Sequence, residues 1–260
     1  MPRIRRALTV GACLAGVLAA QEAEVRDLAQ VRTALHKLAK AHGKARFLAA
    51  EYRQERTSAL LRKPLVSTGT LVLRLDPPCL VFTASGANGT KIRLTRDTYE
   101  VYRPSRARLE RTVLPDPTQA AALFGAFRPV PEVLEARFRI TRAVRRTRRV
   151  ARAEQRLLEV TLVPKDAAEA KLIRQLSITL DETGNRLHAI AYRDPQGDAV
   201  RLFLDKLQVR DKVDAAAFDW TVPKGTEVLV HRPPKPQVPK SGASPPKRSA
   251  SGATGAARKG

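Results

Sequence analysis

The chain has 260 residues and a formal net charge of +23. After residue 20 no stretch reaches 18 consecutive apolar residues, which excludes a membrane-spanning helix from the rest of the sequence. The two cysteines are Cys13 and Cys79, so a disulfide framework and a cysteine zinc site are both excluded within a mature chain that lacks Cys13.

Residues 1–20 read as a secretory signal peptide. Three arginines precede an apolar stretch from Ala7 to Ala20, and small residues close it. Such a stretch is too short to span a bilayer permanently. Soluble export to the periplasm is therefore expected. A lipoprotein signal ending at Cys13 is the alternative.

A helix is predicted over 22–42. Its apolar residues recur every three or four positions and so lie on one stripe. They are Val25, Leu28, Val31, Leu35 and Leu38. Gly43 follows, as is common at a helix C-terminus.

The period then changes to two, which predicts strands. The alternating stretches are 71–75, 91–95, 99–102, 138–144, 158–162, 176–180, 187–191 and 200–204. Turn residues separate several of them: Asn88-Gly89, 181–185 and 194–197. Strands in this order indicate an antiparallel meander.

The predicted fold is α+β and mainly antiparallel β. Clean alternation gives a sheet one apolar face, which must be covered. The helix at 22–42 and the segment 117–135, with a short helix at 117–124, are the available covers. We therefore expect a strongly curved, open half-barrel with covering helices.

The carrier domain is expected to span residues 21–231. From residue 232 the chain is a basic mixture of Pro, Ser, Gly, Ala and Lys with little to bury. Such a composition predicts a disordered tail over 232–260.

No pattern of an enzyme is present. The sequence lacks a nucleophile elbow, a metalloprotease helix, a phosphate loop and a dinucleotide fingerprint. The histidines are scattered and none has a second ligand type at metal spacing. They are His36, His42, His188 and His231. A non-enzyme without metal or cofactor is expected.

Several short motifs occur in a familiar order. They are Ala50-x-Tyr52-x-Gln54, Gly69-Thr70-Leu71, Tyr99-x-x-Tyr102-x-Pro104, Leu162-Val163-Pro164-Lys165 and Val213-Asp214-Ala215-x-x-Phe218-x-Trp220-x-x-Pro223-x-Gly225. Together they resemble the bacterial outer-membrane lipoprotein carrier family (LolA-like) over residues 24–230.

The resemblance implies a periplasmic chaperone that carries lipoprotein acyl chains, or a related lipid, from an inner-membrane exporter to an outer-membrane receptor. A monomer is expected. The family places an arginine after the Gly-x-Leu strand, where it helps to hold the helical lid. Here Arg74 is near but out of register, so it is a candidate for lid or partner contact.

The alternating residues supply the candidates for a hydrophobic cavity. They are Leu71, Leu73, Ile92, Leu94, Leu176 and Ile178. Ordinary core packing is the competing interpretation for each.

A second hypothesis concerns residues 137–156, which contain nine arginines and one glutamate. This segment and the basic tail could dock an exported module on an anionic membrane or envelope surface without cargo. Nucleic acid is not expected as a partner, because aromatic residues do not interleave with these arginines after Phe138.

Overall fold

A computed structural model describes residues 22–86, 89–150, 153–218 and 221–233. The strands are β1 Glu22–Glu24, β2 Phe47–Thr57, β3 Leu65–Leu75, β4 Pro78–Ala84, β5 Lys91–Leu94, β6 Thr98–Arg103, β7 Arg108–Val113, β8 Phe138–Val150, β9 Ala153–Pro164, β10 Gln175–Asp181, β11 Leu187–Arg193, β12 Ala199–Arg210 and β13 Glu227–His231. The helices are α1 Leu28–Gly43, α2 Thr118–Phe127, α3 Pro131–Arg137 and α4 Ala167–Ala170.

All the strands belong to one 13-stranded sheet with the order β1-β8-β9-β10-β11-β12-β2-β3-β4-β5-β6-β7-β13. Two antiparallel meanders, β2–β7 and β8–β12, meet where β12 pairs with β2. The last strand, β13, runs parallel to β7. The predicted class, a large and mostly antiparallel open curved sheet with few helices, is confirmed.

Strand register fixes which side chains share a face. Leu71 on β3 pairs with Phe82 and Ala50, and Ile178 on β10 pairs with Val160 and Ile190. We call the face that carries these residues the inner face. The opposite, outer face carries most of the charged residues of the same strands, since successive side chains alternate.

The helices cover part of the inner face, as predicted. Val31, Leu35 and Leu38 of α1, Phe127 of α2 and Leu134 of α3 belong to the same buried cluster as the inner-face residues of the sheet. No helix within the described parts of the chain is long and apolar enough to cross a membrane.

The helix predicted over 22–42 begins later than expected. Residues Glu22–Glu24 form β1 and pair with β8. The side chain of Asp27 then accepts a hydrogen bond from the Ala29 amide at 2.9 Å, which caps the first turn of α1. Apolar spacing alone does not show where a helix is capped, so the predicted helix was wrong for its first six residues.

Other boundaries also differ. The short helix predicted at 117–124 is the longer α2, and α3 follows it. The strand predicted at 138–144 continues to Val150. The residues of β1, β2, β7 and β13 were not predicted as strands. The signal peptide 1–20, Asn88 and tail residues 234–260 lie outside the described residues.

The turn predicted at 181–185 is confirmed, and it supports α1. Asp181 Oδ1 accepts hydrogen bonds from the amides of Asn185 and Arg186 at 2.7 and 3.1 Å. Gly184 has φ +77°, and a Cβ at this position would lie 2.6 Å from the carbonyl oxygen of Ala34. The turn therefore needs glycine both for its backbone conformation and for its close approach to the helix.

Candidate functional site on the inner face of the sheet

The predicted cavity residues all lie on the inner face, but in two environments. Leu71, Leu73, Leu176 and Ile178 are at most 1% exposed, within the cluster that the helices cover. Ile92 and Leu94 on β5 are only partly buried. The first four are core residues in this conformation, and ligand binding by any of the six stays a prediction.

The partly covered region continues from β5 to its neighbour β6. Leu94 pairs with Tyr99, and Ile92 pairs with Val101. Tyr99 is 38% exposed although it lies on the inner face. Together these residues form an apolar wall that solvent reaches, and we call Ile92, Leu94, Tyr99 and Val101 the inner wall.

Tyr192 on β11 also lies on the inner face, since it pairs with the inner-face residue Leu176. Five strands separate β11 from β6 in the sheet order, which would be about 29 Å in a flat sheet. Yet burial, and after it the nearby Tyr99 phenol, raise the pKa of Tyr192. The two phenols therefore interact electrostatically although their strands are distant in the sheet order.

Tyr99 on β6 lies in a similar environment. Burial within the fold raises the pKa of its phenol, and Arg103 and Arg56 partly oppose that rise. Its ring is nevertheless 38% exposed, so solvent reaches this part of the inner face. Both phenols consequently remain neutral at physiological pH.

Charged residues form a rim around the tyrosine pair. Arg56 Nη2 lies 3.4 Å from Asp198 Oδ2, and Arg103 Nη1 lies 2.9 Å from Glu110 Oε1. Arg56 acts electrostatically on both Tyr99 and Tyr192. The inner wall is thus apolar and has charged residues beside it, an arrangement that suits an amphiphilic ligand.

Polar contacts join the covering helices to one another. Arg32 on α1 donates from Nε and Nη2 to the two carboxylate oxygens of Glu135 on α3, at 2.7 and 2.9 Å. His36 Nε2 lies 3.0 Å from Glu132 Oε1. Both pairs are exposed, so solvent screens them and each stabilises the fold only weakly. The helices are held together by contacts weak enough to break.

A buried histidine links α1 to the end of α2. His42 is 3% exposed, and its Nδ1 donates to the Phe127 carbonyl oxygen at 2.8 Å. Burial lowers the pKa of His42 below its usual value, despite the opposing effect of this hydrogen bond. The folded protein therefore resists protonation of this ring.

Acidification is expected to loosen this link. Because the pKa of His42 is lower in the folded than in the unfolded state, its contribution to stability is complete above pH 6.5 and is lost as pH falls through the folded pKa. We expect His42→Gln to remove a pH-dependent loss on the order of 1 kcal/mol. Urea unfolding of wild type, His42→Gln and the exposed control His36→Gln, at neutral and mildly acidic pH, measures it. Equal pH dependence in all three contradicts the assignment.

Arg74, the candidate for lid or partner contact, lies on the outer face. Its Nε donates to the Pro77 carbonyl oxygen at 3.0 Å, and its Cζ lies 5.2 Å from the ring centroid of Phe218. Phe218 also packs on Phe47. The described contacts of Arg74 thus hold the C-terminal segment instead of a helix, and a partner role stays a prediction.

Part of the charge of the basic segment 137–156 is paired within the fold. Arg137 donates to Glu169, and Arg145 Nε and Arg146 Nε lie 2.7 and 3.2 Å from the carboxylates of Glu182 and Glu159. Paired arginines offer less charge to an external anionic surface. This weakens the hypothesis that the described part of the segment is a docking surface.

A second concavity lies on the outer face. It is a cavity of about 260 Å³ whose lining is mostly polar. Residues around it include Glu55, Glu159, Gln175, Ser177, Arg193 and Arg201. An acyl chain would not enter it, because burying these groups without partners is unfavourable.

The described residues contain no group of three or more potential metal ligands. Cys79 is 3% exposed, and burial raises the pKa of its thiol. A raised pKa and burial make this thiol a poor nucleophile.

Sequence analysis missed the tyrosine pair as a feature of the site. Tyr99 stood within a family-like motif, and Tyr192 alternated with the apolar residues of its strand, but nothing local joins the two. Tyr192 has the opposite parity to Leu187, Ala189 and Ala191, and a register shift between β10 and β11 places it on the inner face, so alternation gave no signal for it.

No family model matches this sequence, and a search of curated proteins gives no match. Solved structures do show similarity. An uncharacterized conserved protein from Thermus thermophilus is 10% identical with a TM-score of 0.43, over 77% of this chain and 99% of that one. Lipoprotein LppX from Mycobacterium tuberculosis is 12% identical with a TM-score of 0.41, over 72% and 100%.

A LolA superfamily protein from Nitrosomonas europaea is 10% identical with a TM-score of 0.36, over 73% of this chain and 97% of that one. Identities and TM-scores of this size describe a general resemblance of fold. They carry no conclusion about a ligand or an activity.

Proposed function

We propose that this protein is an exported periplasmic carrier that shields the acyl chains of lipoproteins, or of a related lipid, while they cross between membranes. One observation carries the proposal. The centre of the inner face is apolar, yet the helices leave Ile92, Leu94, Tyr99 and Tyr192 only partly covered.

The energetics favour a shielded hollow for such cargo. Each buried CH₂ group of a lipid chain contributes about 0.8 kcal/mol, so a chain of roughly fifteen carbons loses about 12 kcal/mol when left in water. A carrier must recover most of this free energy and still release the chain. An apolar wall behind a polar rim meets the first condition.

Helices that can move away from the sheet meet the second condition, release of the chain. A long chain needs more apolar surface than the inner wall alone offers, and the additional surface lies under α1, α2 and α3 at Leu71, Leu73, Leu176 and Ile178. The exposed Arg32–Glu135 and His36–Glu132 pairs restrain these helices only weakly. We propose that cargo displaces the helices and that their return drives release.

Donor and acceptor follow from the family resemblance. An inner-membrane exporter would deliver the cargo, and an outer-membrane receptor would accept it. The alternative, an exported basic module without cargo, gives no reason for a solvent-accessible apolar wall inside the sheet.

The test fills the hollow and measures ligand binding. Leu94→Trp adds bulk to the inner wall, and we expect delipidated protein with this change to bind a fluorescent fatty acid with a Kd about tenfold or more above that of wild type. A triacylated peptide should displace the probe from wild type.

Lys91→Trp is the matched control, because Lys91 lies on the same strand but on the exposed outer face. It should bind like wild type. If wild-type protein binds neither ligand, or if the two variants weaken binding equally, the carrier proposal fails.

A further inference from the structure

The tip of the β2–β3 hairpin carries large apolar side chains that are exposed to solvent. Leu60 is 94% exposed, Leu61 43%, Leu65 63% and Val66 50%. We call residues 58–66 the hairpin tip. Four large apolar side chains this exposed, within seven consecutive residues, form a patch that water does not favour.

The tip projects because its neighbours end before it. On one side β4 stops at Ala84, opposite Gly69, and the last backbone bond joins the Ser85 amide to the Thr68 carbonyl. On the other side β12 pairs with β2 only as far as Thr57. Leu65 and Val66 point to opposite faces, and both are exposed since no further strand flanks them.

The charge of the tip has one sign. No acidic residue occurs between Glu55 and Asp76 in the sequence. Arg62 and Lys63 stand between the leucines and are exposed. Within the described residues neither forms an ion pair or hydrogen bond, in contrast to Arg137, Arg145 and Arg146. Protruding leucines that flank unpaired cations match an anionic bilayer, with its apolar interior and negative surface.

The tip also lies beside the hollow. Leu65 pairs with Arg56 at the base of the tip, and Arg56 belongs to the rim around Tyr99 and Tyr192. A bilayer in contact with the tip would therefore meet the open edge of the inner wall.

We propose that the hairpin tip docks the protein on a bilayer rich in anionic phospholipid, with the leucines entering the interface and Arg62 and Lys63 on the headgroups. This extends the proposed carrier function, since it gives the hollow a route to and from a membrane. Docking can nevertheless be tested without cargo.

Cosedimentation of the full mature chain with phosphatidylglycerol–phosphatidylcholine vesicles tests the proposal. We expect Leu60→Ser/Leu65→Ser to reduce the partition coefficient about tenfold. Arg62→Gln/Lys63→Gln should reduce it severalfold, and binding should weaken as salt rises. Val228→Ser/Val230→Ser is the control, because it removes two exposed apolar side chains from β13, outside the tip, and should bind like wild type.

Fatty-acid displacement in vesicle-free solution separates this proposal from the carrier function. Tip variants that lose vesicle binding but keep fatty-acid affinity support docking by the tip. Vesicle binding that is unchanged in Leu60→Ser/Leu65→Ser, or equal on pure phosphatidylcholine, overturns it. So does a loss of self-association by light scattering with vesicle binding intact, which would make the tip a protein contact.

Discussion

Replacing Glu100 with alanine is expected to lower the free energy of unfolding by about 3–5 kcal/mol. Glu100 on β6 is 1% exposed and lies between two arginines on the outer face. Arg93 Nε donates to one carboxylate oxygen at 2.6 Å, and Arg111 Nε donates to the other at 2.5 Å. Alanine would remove the buried carboxylate to which both guanidinium groups donate, although Arg93 and Arg111 themselves stay 22% and 40% exposed.

The loss should extend to the C-terminal segment. Arg93 also donates from Nη1 to the Phe218 carbonyl oxygen at 3.3 Å, so Glu100 orients the arginine that holds this segment on the sheet. Phe218 precedes β13 in the chain. We therefore expect Glu100→Ala to increase protease cleavage near residue 218, measured by limited proteolysis beside urea unfolding.

The same interaction should make the stability of the wild-type protein depend on pH. Burial alone would raise the pKa of Glu100, but the hydrogen bonds from Arg93 and Arg111 outweigh it, and the net pKa is lowered. Its stabilisation is thus present above the ordinary glutamate pKa and lost as pH falls through the lowered value. Glu100→Ala should show less of this acid-dependent loss.

Glu110→Ala is the matched control on the neighbouring strand. Glu110 also lies near two arginines, Arg103 and Arg108, but its side chain is 29% exposed. We expect a much smaller loss than for Glu100→Ala, because solvent screens the ion pairs of an exposed carboxylate. Similar losses for the two variants would show that burial of the Glu100 triad is not what makes it stabilising.

Local patterns predicted much of this fold because its sheet is largely a meander. The turn at 181–185 and the alternation in β9 to β12 involve residues close in sequence, so spacing and turn chemistry suffice. The pairing of β12 with β2 and the parallel pairing of β13 with β7 join distant segments. Periodicity does not specify such partners.

In the candidate site, too, local patterns predicted one feature and missed another that depends on distant segments. Leu71 and Leu94 alternate in the same way, and the sequence assigned both to one cavity. In the structure Leu71 is 1% exposed and Leu94 is partly buried, because the helices cover β3 more completely than β5. Periodicity reports the face of a strand, whereas the position of a cover depends on packing between distant segments.

The hairpin tip was missed for a related reason. Leu60, Leu61 and Leu65 look like ordinary core residues in a sequence. Only the early ends of β4 and β12 leave them without a neighbour.

The second large effect is expected at Gly69, the glycine of the Gly-x-Leu motif. A Cβ built here would lie 2.0 Å from the Thr83 carbonyl oxygen and 2.9 Å from the Ala84 Cα. Both are backbone atoms of β4, which cannot yield as a flexible side chain could. A glycine at a close backbone approach marks a bend in a strand, so Gly69 lets β3 and β4 curl together.

Gly69→Ala should therefore lower the free energy of unfolding by about 3 kcal/mol, although the stiffer unfolded chain offsets up to about 1 kcal/mol of that loss. The strain falls where the sheet curls and where the hairpin tip begins, so fatty-acid affinity should fall as well. Urea unfolding and probe displacement measure the two effects.

Gly125→Ala is the control for this substitution. Gly125 lies within α2, and a Cβ there would meet no atom within 4 Å. Alanine should stabilise the helix by up to about 1 kcal/mol. The same added methyl group is thus expected to lower the free energy of unfolding at Gly69 and to raise it at Gly125. A neutral Gly69→Ala would mean that β3 and β4 separate without cost, and the curl of the sheet would then need another cause.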